Sequence, residues 1–375
     1  EEVNLWKNTD TVRFGNALKK FKLRLNIDNS EALLKTLISK IRLDLSIDSD
    51  QDKCVDACQP PILEACAAVE PAPEVSFEAA LIEGSWMLYA EAADPQGLVM
   101  VFHGSGGSAV SWFDRIEGQF LIAGLVDAGF SVMSLDSYSQ AGKPSYDYKF
   151  TPAEKAALGI EYQWSPLPPA KNPDYERVQL ALEWLTDEGI HQSEDPVYSM
   201  GVSNGGAMSA GVTQVVDISA VIAFASKTSP FLSAPEVPLP PPPTLWIPGV
   251  NDTTIPFGEF LDATADVTAL GGITYTLPNW PEPLSPHHFV RIPTVSCAES
   301  AQLFQQFSAL GLVDAAGEFL LNPKLDFDWA DEAPAPVAAL ERDINDELAE
   351  LYGEHAITAD YVDEIVNFMV LHGNL

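Results

Sequence analysis

Two patterns of apolar and polar residues follow one another along the chain. Near the start, residues 21–28 (FKLRLNID) and 40–48 (KIRLDLSID) alternate apolar with polar positions, which predicts two half-buried strands. Between these strands, leucine and isoleucine recur at helical spacing. A Pro-containing segment at residues 69–75 (VEPAPEV) then indicates a linker. We therefore predict a small α+β extension over residues 1–75 and a larger domain over residues 76–375.

In the larger domain, short continuous apolar runs alternate with segments of helical spacing. The runs lie at residues 98–102, 131–135, 197–200, 221–225, 245–247 and 273–277. The helical segments lie near residues 110–128, 174–187, 204–215 and 257–270. Apolar strands without polar alternation are typical of a parallel sheet that is buried on both faces. The pattern therefore predicts an α/β fold with a mostly parallel sheet flanked by helices.

The region from residue 281 to residue 350 does not continue this alternation. It contains a helical segment, a polar and Pro-rich stretch, and a second helical segment. A last helix is predicted over residues 359–372, with acidic residues in its first turns, where they favour the helix dipole. We expect residues 281–350 to be an insertion that forms either a lid near the functional site or a packed helical decoration.

Ser203 lies among four glycines in residues 198–211 (YSMGVSNGGAMSAG). The G-x-S-x-G pattern at residues 201–205 is weak by itself, but an apolar strand precedes it and a small-residue helix follows. This context predicts a tight strand–turn–helix elbow that exposes the hydroxyl of Ser203. Glycine at positions 201 and 205 would leave room for strand and helix to approach each other. We predict Ser203 to be a nucleophile; the alternative is a structural glycine-rich turn with an incidental serine.

A serine nucleophile needs hydrogen-bond donors for the oxyanion that forms when it attacks a carbonyl. Residues 98–107 (LVMVFHGSGG) form an apolar strand that runs into a glycine loop, and the backbone N–H groups of this loop could face Ser203. We expect one donor from Ser105 or Gly106 and the other from Asn204. A phosphate loop is disfavoured, because the Lys-Ser/Thr of a P-loop and the G-x-G-x-x-G pattern are both missing.

Together these motifs resemble those of the α/β-hydrolase superfamily. The matching residues are 103–107 (HGSGG), 201–205 (GVSNG) and 249–252 (GVND), and the resemblance covers about residues 79–375. Within the superfamily the sequence looks most like secreted esterases of the dienelactone-hydrolase and polyhydroxybutyrate-depolymerase-like groups. The resemblance implies an α/β-hydrolase fold and a catalytic serine, acid and histidine in that order along the chain.

The acid is predicted from the segment TLWIPGVNDTTIP at residues 244–256. Asp252 follows an apolar strand there, and the carboxyl ends of parallel strands are where ligands and catalytic groups gather. Its expected role is to orient the histidine and stabilise the charged imidazolium. The alternative is an aspartate that only closes its own turn.

The histidine is chosen from the six in the chain. His103 precedes Ser203 in the glycine loop, and two others fall in unsuitable segments, which leaves His287, His288 and His355. His355 comes immediately before the last predicted helix, which resembles the place where family members carry their catalytic histidine. We favour His355, although 103 residues separate it from Asp252; His287 and His288 remain alternatives.

Several aromatic residues fall in loops at the predicted catalytic end of the sheet. We expect four of them to form an apolar pocket for an acyl or aryl group. These are Trp112, Tyr138, Trp164 and Trp280. The alternative is that they are loop aromatics without a function in binding.

A run of acidic residues in the N-terminal extension is a candidate cation site. The sequence DSDQDKCVD at residues 48–56 places Asp48, Asp50, Asp52 and Asp56 close together, and Ca²⁺ accepts such oxygen ligands. The stretch resembles calcium-binding thrombospondin type 3-like repeats, although Lys53 stands where glycine is usual. A structural Ca²⁺ and a solvated acidic turn both remain open, and the predicted reaction requires no cofactor.

Charge limits the partners of this protein. The formal net charge is −34 over 375 residues, which disfavours binding to nucleic acid or to anionic lipid. No apolar run approaches the roughly 18 residues of a membrane-spanning helix. The expected partner is therefore a small-molecule or polymeric ester, and the oligomeric state is left open.

Cysteine usage indicates an oxidising compartment. Three of the four cysteines, Cys54, Cys58 and Cys66, lie within one short stretch, and the fourth is Cys297. The spacing does not match a zinc site well, so we favour disulfides, with all three pairings open and reduced thiols as the alternative. The first residue is Glu rather than Met, which fits removal of a signal peptide. We expect a secreted or periplasmic protein.

These observations predict a serine hydrolase that cleaves carboxylic esters through an acyl-enzyme intermediate. Ser203, Asp252 and His355 would form the catalytic triad, with the loop and helix N–H groups as the oxyanion hole. Two alternatives stay open. One is a serine peptidase on the same fold, and the other is a non-catalytic hydrolase-fold binding protein.

Overall fold

The computed structural model describes residues 66, 69–138, 164, 168–327, 329 and 340–373. The predicted strands at residues 21–28 and 40–48, and the four aspartates of the candidate calcium site, lie outside the described residues. Throughout the part that is described, no helix is long and apolar enough to cross a membrane.

Eight strands form one sheet within the described residues, and each of the six predicted apolar runs is one of them. The strands are β1 (Glu78–Ile82), β2 (Ser85–Ala90), β3 (Gly97–Phe102), β4 (Phe130–Leu135), β5 (Val197–Val202), β6 (Ala220–Phe224), β7 (Thr244–Ile247) and β8 (Thr274–Thr276). Their order across the sheet is β1-β2-β4-β3-β5-β6-β7-β8. Strand β2 runs antiparallel to both its neighbours, and all other pairs are parallel. This order is that of the α/β-hydrolase fold, so the predicted fold class is confirmed.

Helices cover both faces of the sheet, as continuous apolar strands require. In chain order they are α1 (Ser111–Asp114), α2 (Ile116–Asp127), α3 (Pro173–Asp187), α4 (Asn204–Gly211), α5 (Ser229–Leu232), α6 (Phe257–Ala269), α7 (Cys297–Ala309), α8 (Glu341–Tyr352) and α9 (Val362–Gly373). Helices α3, α4 and α6 pack on one face, around residues such as Val178, Met208 and Phe260. Helices α2 and α9 pack on the other, around Leu121 and Met369.

Hydrophobic periodicity did not predict the first two strands, β1 and β2. They form an antiparallel hairpin that turns at Glu83 and Gly84, both with positive φ. The hairpin lies at the edge of the sheet, where Leu81 and Trp86 are more than half exposed. The apolar run in β2 (SWMLYA) is mostly buried, so these residues carry a strand signal that the sequence analysis did not assign.

The region predicted as an insertion, residues 281–350, has a core of its own. Its helices α7 and α8 and a short 3₁₀ helix at His288–Arg291 enclose Phe289, Phe307 and Leu348. A disulfide joins Cys297, the first residue of α7, to Cys66, which precedes the sheet in sequence. Cys54 and Cys58 lie outside the described residues.

Removing this disulfide should destabilise the protein. The bond links residues 231 positions apart, so it restricts the unfolded chain strongly. We expect Cys66→Ser/Cys297→Ser to lower the free energy of unfolding by about 2–5 kcal/mol in urea denaturation under non-reducing conditions. Equal unfolding midpoints for the double variant and the wild type would contradict this expectation.

Candidate active site

Ser203 occupies a strained turn between β5 and α4. Its backbone has φ 55° and ψ −120°. Residues other than glycine rarely adopt this conformation, which costs about 1–3 kcal/mol. The Ser203 N–H donates a hydrogen bond to Phe224 O at the end of β6, at 3.0 Å, which helps to hold the turn in place. The strand–turn–helix elbow expected from the sequence is therefore present.

The glycines around Ser203 allow three backbone segments to pack directly against one another. A Cβ atom at Gly201 would lie 2.2 Å from Gly205 O, so strand and helix meet backbone to backbone. A Cβ atom at Gly205 would lie 2.1 Å from Phe102 O, at the end of β3. A Cβ at Gly206 would lie 2.3 Å from Ser226 Cβ, beyond the end of β6. The cluster therefore reflects steric need at three successive contacts.

The loop after β3 lies against the serine turn. A Cβ at Gly104 would be 3.5 Å from Ser203 Cβ. The ring of buried His103 braces this loop, since its Nδ1 is 2.8 Å from Gly104 O and its Nε2 accepts a hydrogen bond from Ser137 N–H at 3.3 Å. Because Nε2 accepts, we assign the proton to Nδ1, and His103 is a neutral structural histidine.

Two of the predicted oxyanion donors, Ser105 and Gly106, line the same cavity as Ser203. The third, Asn204, is the first residue of α4, where backbone N–H groups lack partners within the helix. The side chain of Asn204 accepts a hydrogen bond from Trp164 N–H at 2.7 Å, and Trp164 Nε1 donates to His103 O at 2.8 Å. Trp164 thus links the glycine loop to the start of α4 by hydrogen bonds.

Asp252 and His355 are hydrogen-bonded. His355 Nδ1 lies 2.7 Å from Asp252 Oδ2, although 103 residues separate them. The other oxygen, Oδ1, accepts from the N–H groups of Thr254 and Ile255 at 2.7 and 2.8 Å. One carboxylate therefore makes both the turn-closing contacts and the contact with His355 that were considered for Asp252.

The loop that carries Asp252 crosses the segment that precedes His355. Asn251 N–H donates to Gly353 O at 2.8 Å, and its side-chain amide donates to Tyr352 O at 2.9 Å. A Cβ at Gly249 would lie 2.3 Å from Glu354 O, so only glycine permits this crossing. These contacts bring the acid and the histidine together across the long separation in sequence.

His287 and His288 are placed elsewhere. Neither lines the cavity that holds Ser203 and His355. His288 is buried in the core of the insertion, with its Nε2 3.0 Å from Glu347 Oε2 in a contact poorly aligned for a hydrogen bond. Burial, and secondarily the charge of Arg291, lowers the pKa of His288 to about 4. Of the three candidate histidines, only His355 therefore lines the cavity that Ser203 also lines.

A cavity of about 1150 Å³ opens in front of Ser203. One wall consists of the loop after β3 and the start of α2, and the opposite wall belongs to the insertion. Of the four aromatic residues predicted to form a pocket, Trp112 lines this cavity. Trp164 is buried beneath the glycine loop, Tyr138 packs under the guanidinium of Arg177 at 4.0 Å, and Trp280 is half exposed; none of these three lines it.

Periodicity did not identify the residues that the insertion contributes to the cavity. They include Leu325, Phe327 and Trp329, and Asn345 and Asp346 from α8. No repeat or motif marks these positions, because they reach the cavity through the packing of the insertion against α2. Among the described residues, no group of three or more His, Cys, Asp or Glu side chains is placed to hold a metal ion.

Three buried glutamates lie where the insertion meets the cavity wall. Glu117, at the start of α2, contacts Arg291 and accepts a hydrogen bond from Ala359 N–H at 2.5 Å, in the segment between His355 and α9. Glu347 and Glu350 approach from α8. Burial raises the pKa of Glu117 to about 8 and that of Glu347 to about 7, and it raises the pKa of Glu350 as well. Glu117 and Glu347 therefore keep their protons to higher pH than exposed glutamates do.

Comparisons with known proteins add a fold likeness only. Neither known family models nor characterised proteins match the sequence. Three of the similar solved structures are an esterase/lipase from an uncultured bacterium, dienelactone hydrolase from Anabaena variabilis ATCC 29413, and Thermogutta terrifontis esterase 2 phosphorylated by paraoxon. Their identities are 13, 18 and 13%, and their TM-scores are 0.38, 0.37 and 0.37. Each match covers 64% of this chain, and 87, 99 and 95% of the other. TM-scores below 0.5 are too low to assign a function by similarity. The fold and the candidate site are therefore supported by the strand order and the contacts of this chain itself.

Gly205→Ala should disrupt the elbow. Its new Cβ would meet the backbone oxygens of Phe102 and His103, which cannot move aside as a flexible side chain would. We expect a loss of about 1–3 kcal/mol in the free energy of unfolding. Gly258→Ala is the matched control, because Gly258 lies in α6 with no atom within 4 Å of the added Cβ. Equal thermal unfolding temperatures for the two variants would refute this steric account.

Glu347→Gln should change how stability depends on pH. In the folded protein Glu347 keeps its proton up to about pH 7, whereas in the unfolded chain it loses the proton near its ordinary pKa of 4.5. The stabilisation is therefore complete below about pH 4.5 and is lost as the pH rises through about 7. Glutamine cannot lose this proton, so the decline in stability between pH 5 and pH 8 should shrink by up to about 3 kcal/mol.

Urea denaturation at several pH values measures this difference. Glu341→Gln, an exposed change on the same helix α8, is the control and should keep the wild-type pH dependence. Parallel curves of stability against pH for the wild type and Glu347→Gln would rule out the assigned role of Glu347.

Proposed function

We propose that this protein is a serine hydrolase that cleaves carboxylic esters through an acyl-enzyme intermediate. The observation that carries the proposal is the 2.7 Å hydrogen bond between Asp252 and His355, with His355 lining the same cavity as Ser203. The positive φ of Ser203 supports it, because a strained serine turn exposes the hydroxyl at a helix N-terminus.

In the proposed reaction, Ser203 Oγ attacks the ester carbonyl and His355 accepts the hydroxyl proton. Because Nδ1 of His355 faces Asp252, the proton goes to Nε2. Asp252 stabilises the imidazolium that results. Backbone N–H groups of the loop at Ser105 and Gly106, and of Asn204, would stabilise the oxyanion. As the bond to the alcohol breaks, His355 gives the proton to the leaving oxygen and Ser203 is left acylated. Water then attacks the acyl carbon while His355 takes its proton, the bond to Ser203 Oγ breaks, and His355 returns the proton to Ser203.

The cavity bears on the substrate. Its volume of about 1150 Å³ exceeds the roughly 300–1000 Å³ usual for small-molecule sites, so bulky esters would fit. Rates on a panel of esters with graded acyl length and aryl content would define the size of substrate that the cavity accepts. The Cys66–Cys297 disulfide supports the further proposal that the protein is exported, since disulfides persist in oxidising compartments.

Substitution of the proposed triad tests the function. Ser203→Ala and His355→Ala should each lower kcat/KM for p-nitrophenyl esters by a factor of about 10⁴ or more, because the nucleophile or its base is removed. Ser203→Ala should also abolish labelling by a fluorophosphonate probe. His287→Ala, a histidine outside the cavity lining, is the control and should keep wild-type activity.

Three outcomes would contradict the proposal. Near-normal activity in His355→Ala would remove the assigned base. Hydrolysis of peptide anilides but not of esters would indicate a peptidase on the same fold. A folded wild-type protein that the probe does not label would indicate a non-catalytic binding protein.

A further inference from the structure

The loops that carry Asp252 and His355 are joined by a second link, made by the residue next to each. Glu354 Oε1 accepts a hydrogen bond from Thr253 N–H at 2.9 Å and another from the Thr253 hydroxyl at 2.7 Å. The pairs Asp252–His355 and Thr253–Glu354 are therefore neighbouring links between the same two loops. A change in the second link would alter the distance or the angle of the first.

The other oxygen of Glu354 faces the insertion. Glu354 Oε2 accepts a hydrogen bond from Asn322 Nδ2 at 3.0 Å. The orientation of the Asn322 amide is fixed, because its Oδ1 accepts from Lys324 N–H at 2.8 Å and from Leu325 N–H at 3.1 Å. Residues 323–325 line the cavity in front of Ser203. Glu354 therefore ties this part of the cavity wall to the two loops of the proposed site.

The Glu354 side chain is fully buried, which makes its partners essential. A buried carboxylate is costly unless hydrogen bonds replace the water it has lost, and here three donors do so. The stretch between β7 and α6 supplies two donors, and the insertion supplies the third. This carboxylate is thus the point at which three separate parts of the chain are joined.

We propose that Glu354 is a positioning residue for the reaction. It sets the alignment of Asp252 and His355, and it couples that alignment to the cavity wall at residues 323–325. The inference rests on the proposed function, because it assigns a role relative to the proposed base. A displacement of about 1 Å in a catalytic group can lower a rate by about 10²-fold, so a second link of this kind affects turnover.

An exchange of donor and acceptor between Glu354 and Asn322 tests the proposal. In Glu354→Gln, two N–H donor groups face each other where Asn322 donated to Glu354, so that hydrogen bond is lost. In Asn322→Asp, two buried carboxylates face each other and no donor remains between them. In the double variant Glu354→Gln/Asn322→Asp, Gln donates to Asp, and the Asp still accepts from residues 324 and 325. The double variant also keeps the net charge of the wild type.

We measure kcat and KM for a p-nitrophenyl ester and divide kcat by the fraction of molecules that a fluorophosphonate probe labels. Each single variant should lower kcat per labelled site by about 10–100-fold, with a smaller change in KM. The double variant should recover most of this loss. Glu299→Gln, the same substitution at an exposed helix-capping position of the insertion, is the control and should keep wild-type kcat.

Wild-type kcat per labelled site in the single variants, together with reduced thermal stability, would overturn the proposal and leave Glu354 a purely structural residue. A double variant no more active than the worse single variant would overturn it as well. If the single variants do not fold, Thr253→Val removes only the hydroxyl donor at an exposed position, and wild-type kcat in that variant would count equally against the proposal. An unlabelled, inactive wild type would instead contradict the proposed function.

Discussion

The candidate site depends on one crossing of backbone segments, where the loop after β7 meets the residues that precede α9. Gly249 permits the close approach, and Asn251 donates two hydrogen bonds to carbonyls on the other segment. The bond between Asp252 and His355 is made at this crossing. The acid and the histidine are 103 residues apart in sequence, so only the tertiary structure makes them neighbours.

The insertion contributes residues to the lining of the cavity as well as to the outer surface. It has its own apolar core, and it also supplies one wall of the cavity in front of Ser203. Its attachment is partly apolar and partly ionic, since Glu117 of α2 contacts Arg291 of the insertion at a buried site. The two possibilities considered for this region, a lid and a packed decoration, are therefore not exclusive. Its core packs as a decoration does, and its inner surface lines part of the cavity.

Burial gives the charges at this junction a different character from those on the surface. The formal net charge of the whole chain is −34. At the junction, Glu117, Glu347 and Glu350 share one arginine, and their pKa values are raised because burial penalises the ionised form. Glu354 is also buried, but it is surrounded by three hydrogen-bond donors. These hydrogen bonds replace the water that burial removes from the Glu354 side chain.

Local sequence determined the central strands, the serine turn and the acid loop. These features depend on residues that are close together along the chain: continuous apolar runs, glycines where two backbones touch, and an aspartate that closes its own turn. The choice of His355 also came from the sequence, but through resemblance to a family, and spacing alone left His287 and His288 open. The hairpin β1–β2 was not predicted, although β2 carries an apolar run of its own.

Only the tertiary structure decided which distant side chains share a site. It placed Trp164 beneath the glycine loop, and it gave the cavity Phe327 and Trp329, which no pattern marks. It also placed Glu354 between Thr253 and Asn322. A hydrogen-bond partner or a cavity wall is set by how segments pack in three dimensions. Hydrophobic periodicity records only which face of each segment is buried, and so it cannot specify such contacts.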